Sequence, residues 1–262
     1  MNAGIVQAYR YGVVRSASLM VAAPAFAEAV ALARAHPELD LGIHLALTTV
    51  RPVLPARSVA SLVDRNGRFP RLGRWLARLA FRALDPDDIR RELAAQIEQT
   101  LATGLRFTHL DSHHHVHLFA PVREVVAELA RSYGIPFVRR IARRRPQPGL
   151  GPVTALKRGF LQWADAGAEP IYAGLERVDG TPLPPPRSPS RWHRFLCSLP
   201  EGVTELICHP GLRDPRLAGL DPLVDGREAE LRWLTSPHLV KLLDEASLEL
   251  TSFAALASRR AR

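Results

Sequence analysis

The sequence predicts an α/β protein built from a βα series that closes into a parallel sheet or a barrel. Three observations predict it: short apolar segments recur along the chain, most are followed by a stretch of helical composition, and Gly or Pro punctuates the joins. With 262 residues the chain can bury a substantial core, and we read it as one domain spanning 1–262.

Taken in order, residues 9–14 resemble the end of an amphipathic helix and 13–21 a first strand. Alanine-rich 24–35 follows as a helix, 39–47 is the next strand, and 51–70 carries the Pro and Gly of a long loop. The clearest helix is 86–103, where Asp85 can cap, Pro86 suits the first helical position and Asp87 and Asp88 favour the positive end of the dipole. Ile89, Leu93, Ile97 and Leu101 recur at helical spacing along its buried face, and Gly104 ends it. A strand at 105–110 leads into a run of histidines, a helix at 121–133 closes at Gly134, and 137–141 reads as another strand. Residues 143–194 are rich in Pro, Gly and Arg and read as an irregular insertion that shapes substrate access. A strand at 203–208 ends at His209, helices occupy 228–234 and 237–245, and 248–253 reads as the last strand.

Composition narrows the function. The apolar fraction of 47% and charged fraction of 23% are those of an ordinary globular chain, and no run of apolar residues is long enough to span a bilayer. The formal charge of +9 invites a nucleic-acid reading, but the arginines are scattered. Their densest run, Arg139, Arg140, Arg143, Arg144 and Arg145, has no aromatic interleaving and fits no nucleic-acid module, so no nucleic-acid partner is expected. Cys197 and Cys208 form neither a zinc pattern nor a disulfide framework. Arg10 and Arg15 before the apolar stretch 17–27 imitate a signal peptide, yet Pro24 interrupts that stretch, and the expected location is the cytoplasm.

The chemistry concentrates in histidine. The chain has ten, and five fall within THLDSHHHVH at 108–117. Alternation along an extended strand would turn His109, Asp111 and His113 to one side, at the end of a strand where barrel enzymes place their catalytic loops. Imidazoles suit divalent Zn, Fe or Mn, and an embedded carboxylate can bind the ion or fix a ring's tautomer. His44 sits in the apolar run GIHLALT at 42–48, and His209 ends another strand in CHPG at 208–211, where it could act as a proton donor or acceptor.

The motifs GIHLALT at 42–48, RPVLP at 51–55, LVDRNGRF at 62–69, THLDSHHHVH at 108–117 and HPG at 209–211 resemble those of the YdjC-like carbohydrate deacetylases. That family includes chitooligosaccharide deacetylases and HpnK-type proteins associated with hopanoid biosynthesis. The resemblance implies a distorted (β/α) TIM-like barrel and a divalent cofactor, Mg or Zn, held by two histidines and an aspartate. It further implies hydrolysis of an acetamido group on an N-acetylated saccharide or glycolipid, with homodimerisation open. On that pattern His44 and His113 are the metal ligands, His115 and His117 surround the pocket and His209 is the proton donor; Asp111, embedded in the histidine run, is read as a second catalytic residue or a replacement ligand, and Arg139 as a further substrate contact. The family also opens with a strand ending in an Ala-Asp-Asp-Phe-Gly type motif, whereas this sequence begins at Met1 just beyond that point and has no acidic residue before Glu28. The expectation is a barrel lacking its first strand, either from a misplaced start or as a weakly active sugar- or metal-binding remnant.

Overall fold

The computed structural model describes residues 1–141, 152–183, 189–214 and 226–260. Its centre is one sheet of six strands, β1 (Ser16–Leu19), β2 (Asp40–Leu45), β3 (His109–Ser112), β4 (Phe137–Ile141), β5 (Glu176–Pro182) and β6 (Thr204–Ile207), hydrogen-bonded in that order and parallel throughout. Parallel neighbours require crossover connections, and helices supply them. The crossovers are α2 (Phe26–Ala35), α3 (Leu72–Ala80) with α4 (Pro86–Leu101), α5 (Val122–Ser132), α6 (Pro152–Ala168) and α7 (Pro189–Cys197), while α1 (Asn2–Arg10) precedes the first strand and α8 (Gly226–Leu234), α9 (Pro237–Glu245) and α10 (Phe253–Arg260) follow the last.

The sheet curls into a partial barrel, and α1 bridges its two edges. Asn2 at the start of α1 donates to Ala25 O at 3.1 Å and Glu28 Oε2 at 2.8 Å, beyond the end of β1. Two residues on, a Cβ at Gly4 would lie 2.6 Å from the Cα of Gly211, beyond the end of β6. Side chains alternate across each strand, so the outward residues meet helices and the inward ones meet each other. Ile43, Leu110 and Val138 face outward into the main core with Ile89, Leu93 and Ile97 of α4 and Val125, Val126 and Leu129 of α5. A second apolar cluster joins α7, α8 and α9, and a third holds α2 against β1 and β2.

Several sequence expectations are corrected. Residues 143–194 are not an irregular insertion, because α6, β5 and α7 lie within them as regular parts of the barrel. Prolines that read as breakers stand at the first positions of α6 and α7, where a missing N–H costs nothing. Residues 142–151 and 184–188 of that stretch lie outside the described residues, Arg143, Arg144 and Arg145 among them. No strand forms at 248–253: Phe253 opens α10, whose second residue, Ala254, donates its backbone N–H to Asp40 Oδ2 at 3.2 Å. Phe253 then closes the bottom of the barrel beside Phe137 and Val178. The third strand runs from His109 to Ser112 rather than over 105–110, which moves Asp111 onto the sheet. The helix α3 was unexpected, although Leu72, Trp75, Leu76 and Leu79 form an apolar stripe at helical spacing.

Candidate active site

The inward residues stack in layers up the partial barrel. At the bottom, His109 lies against the ring of Phe253, centroids 4.1 Å apart. Thr108 spends its hydroxyl proton on Asp40 Oδ1 at 2.8 Å and so accepts from His109 Nδ1–H at 2.9 Å, leaving His109 Nε2 to accept from Ser18 at 3.2 Å. Burial pushes the His109 pKa below its ordinary value, against the pull of Asp111, Glu205 and Asp40. A Cβ at Gly42 would come within 2.2 Å of this ring, so the first glycine of GIHLALT is the space His109 occupies.

One layer higher, His44 and Asp111 are register partners on β2 and β3, and His44 Nδ1 lies 2.8 Å from Asp111 Oδ1. Asp111 Oδ2 pairs with Arg139 on β4, and Arg139 in turn holds both oxygens of Glu205 on β6, with Nε 2.8 Å from Oε2 and 3.0 Å from Oε1. Burial raises the Asp111 carboxyl, but Arg139 and then His44 hold it well below the usual carboxylate range. Asp111 is therefore an anion that accepts the proton on His44 Nδ1, which leaves Nε2 as the ring nitrogen turned away from Asp111 and open to a ligand. Burial works against the charge on Arg139, yet Asp111 and Glu205 together raise its pKa above the ordinary value.

At the top, the chain leaves β3 through a 3-10 turn, His113–Leu118, in which His114 and His115 both take the left-handed region at φ 58° and 56°. Two consecutive non-glycine residues there store strain that the surroundings must offset. Thr48 helps, with its Oγ1 2.9 Å from His114 Nδ1. The strained turn sets the ring of His113 edge-on to His44, centroids 5.8 Å apart, and tilted against His114 at 4.0 Å. His115 is partly exposed, but its Nδ1 is buried and without a hydrogen-bond partner. Burial, then Arg139 and His117, drive its pKa well below the ordinary value. His117 is fully buried: its Nε2–H donates to Arg139 O at 2.9 Å, and its Nδ1 accepts from Ser112 at 2.6 Å. Burial lowers its pKa to about 4, the bond to Arg139 O opposing.

The structure thus brings His44, Asp111, Arg139 and His113 into one cluster, with His115 over it. His117 ties the turn to β4 through both ring nitrogens, and the Arg139 guanidinium is engaged by two carboxylates. His209 lies exposed just past β6, at the same C-terminal edge of the sheet. Its backbone N–H donates to Glu230 Oε2 at 2.5 Å, and Arg227 O accepts from Gly211 N–H at 3.2 Å, so α8 fixes the HPG turn. Sequence reasoning missed Glu205, Ser112 and Thr48. Glu205 carried a signal, as a lone acid within an apolar strand.

For a divalent ion the donor chemistry fits in part. Two neighbouring imidazoles, one backed by a carboxylate, suit a borderline ion such as Zn better than Mg, which favours oxygen ligands. Among the described residues, no group of three or more His, Cys, Asp or Glu side chains converges on one metal position. Both cysteines are free, and among the described residues no helix is long and apolar enough to cross a membrane.

A parallel, partly closed barrel with a histidine-carboxylate cluster at the C-terminal ends of its strands defines the class: the chain belongs to the YdjC-like protein family, whose model matches residues 1–245. Among its relatives, a carbohydrate deacetylase of Geobacillus stearothermophilus is 36% identical, over 97% of this chain and 91% of that one. One of Vibrio cholerae is 33% identical over 98% and 91%. A crystal structure from Enterococcus faecalis V583, provisionally named a cellobiose-phosphate cleavage protein, superposes with a TM-score of 0.80 at 27% identity, covering 97% of this chain and 92% of its own.

Proposed function

We propose that this chain is a metal-dependent hydrolase that removes the acetyl group from an N-acetylated sugar, oligosaccharide or glycolipid. The observation that carries the reading is the contact of His44 with anionic Asp111 beside His113. The deacetylase names of the relatives support it. His44 and His113 would hold the divalent ion, Zn before Mg on donor chemistry. Once bound, such an ion polarises the amide carbonyl and makes a water a stronger nucleophile at neutral pH.

The remaining work falls to side chains. Asp111 keeps His44 in the tautomer that offers Nε2, and so sets the ring's direction. His209, exposed and fixed by α8 at the same edge of the sheet, is the donor of a proton to the departing amine. His115, partly exposed beside the cluster, would contact the substrate, and its buried Nδ1 takes no part in that contact. Arg139 acts on the site through Asp111 rather than on the sugar, since its guanidinium is spent on two carboxylates.

Acetate release from N-acetylated oligosaccharides, measured with added Zn, Mg, Mn or Co, tests the proposal. Release that depends on the added metal and is lost in His44→Ala and His113→Ala supports it. No release with any metal across a broad panel of acetylated sugars contradicts it. Metal or sugar binding without release would favour a binding remnant.

A further inference from the structure

Glu205 stands on β6, two strands from Arg139 on β4, yet the two side chains meet. They can do so because the register partner of Glu205 on the intervening strand is Gly180. A Cβ there would fall 3.1 Å from Glu205 Oε2 and 3.0 Å from the backbone oxygen of Arg140. The carboxylate thus reaches across β5 over a position without a side chain. Arg139 uses one edge of its fork on Glu205 and its remaining amine on Asp111 Oδ2, and Asp111 Oδ1 takes the proton of His44 Nδ1. Asp111 is nearly closed to solvent, and Arg139 and Glu205 are each only 11% exposed, so each link lies where water competes poorly. A planar guanidinium held by two carboxylates has little freedom to rotate, and a carboxylate gripped at one oxygen presents the other in a fixed direction.

We propose that Glu205 is a positioning residue: it locks the Arg139 guanidinium against Asp111, and through Asp111 it holds the His44 ring in one orientation with the proton on Nδ1. The importance of that orientation rests on the reading of His44 as a reaction-centre residue, but the orientation itself is measurable without turnover. Glu205 touches neither the His44 ring nor the histidine turn in any bond described above, so its influence passes through the chain of three contacts.

The test uses the full chain and three readouts: the nitrogen NMR signals of the His44 imidazole in metal-free protein, Zn affinity by competition titration, and acetate release. The wild type is expected to show His44 as the single Nδ1–H tautomer. Glu205→Gln, which keeps shape and removes charge, is expected to mix the tautomers and weaken Zn binding by about 10- to 100-fold. It should lower kcat while KM stays nearly constant. Arg139→Lys, which keeps charge and removes the fork, should do the same, and Glu205→Asp should recover part of the loss. Arg177→Ala, at the partly exposed Arg177–Asp179 pair on β5, should leave all three readouts unchanged. A wild-type tautomer and Zn affinity in Glu205→Gln would overturn the assignment. If that variant fails to fold, the same result in Arg139→Lys would do so. Wild-type protein that releases no acetate, while its His44 tautomer still responds to Glu205→Gln, would defeat the deacetylase reading and leave the positioning role standing.

Discussion

His44 Nδ1 and Asp111 Oδ1 lie 2.8 Å apart across the β2–β3 ladder, where the two residues are exact register partners. The contact needs no loop to make it; a one-residue slip of either strand would turn one partner to the helices. Replacing Asp111 with Asn should therefore keep the fold but release the His44 tautomer. A loss of about 10- to 100-fold in Zn affinity and turnover is expected, read by competition titration and acetate release.

The space at Gly42 belongs to His109, whose ring is held by Ser18, Thr108 and Phe253 and cannot easily retreat. Gly42→Ala places its new carbon 2.2 Å from His109 Nε2 and should cost about 1–3 kcal/mol in denaturant unfolding. Gly159, inside α6 with open space around it, gives the contrast: Gly159→Ala should gain about 0.5–1 kcal/mol.

On the outer side of β4, Arg140 is buried against Asp165 of α6, with Nε 2.7 Å from Oδ1, and the same oxygen accepts from Ile141 N–H at 3.0 Å. Glu169 also reaches Arg140, with Oε2 2.9 Å from Nη2, so removing Asp165 leaves the guanidinium one carboxylate. Asp165→Ala should lower stability by about 1–3 kcal/mol through the lost buried hydrogen bonds, and no measurable loss in equilibrium unfolding would contradict the docking of α6.

His109 and His117 are buried neutral, and burial lowers both pKa values, that of His117 to about 4. In the unfolded chain they take up protons near pH 6.5, so between there and about 4 the unfolded state binds more protons than the native one. Stability should accordingly fall as pH drops through that window, by about 3 kcal/mol from His117 alone. Thermal melts of metal-free protein at stepped pH check this, and His117→Asn, which removes the titrating ring, should flatten the slope.

Much of this architecture was legible in the sequence, and the exceptions have physical causes. The helix from Pro86 announced itself through cap, dipole and stripe, and the strand at 137–141 through its β-branched and aromatic residues. His44 and the histidine run gave away the site, because nothing in core packing asks for imidazoles at successive strand ends. Residues 143–194 misled, since prolines at helix starts read as breakers and β5 carries more polar than apolar residues. The final apolar stretch looked like a strand because the sequence does not reveal that Phe253 is needed as a plug against His109. The partnership of Arg139 with Glu205 was hidden for a similar reason: it depends on a glycine on the strand between them, which becomes meaningful only once the strand order is known.

The central claim is that imidazoles from β2 and from the turn after β3 hold one divalent ion. Zn bound per chain should be measured by equilibrium dialysis for the wild type, His44→Ala, His113→Ala and His193→Ala, the last on α7 beside Cys197. The account predicts that the first two substitutions weaken binding at least tenfold, while His193→Ala binds as the wild type does. Equal Zn content in all four proteins would contradict it.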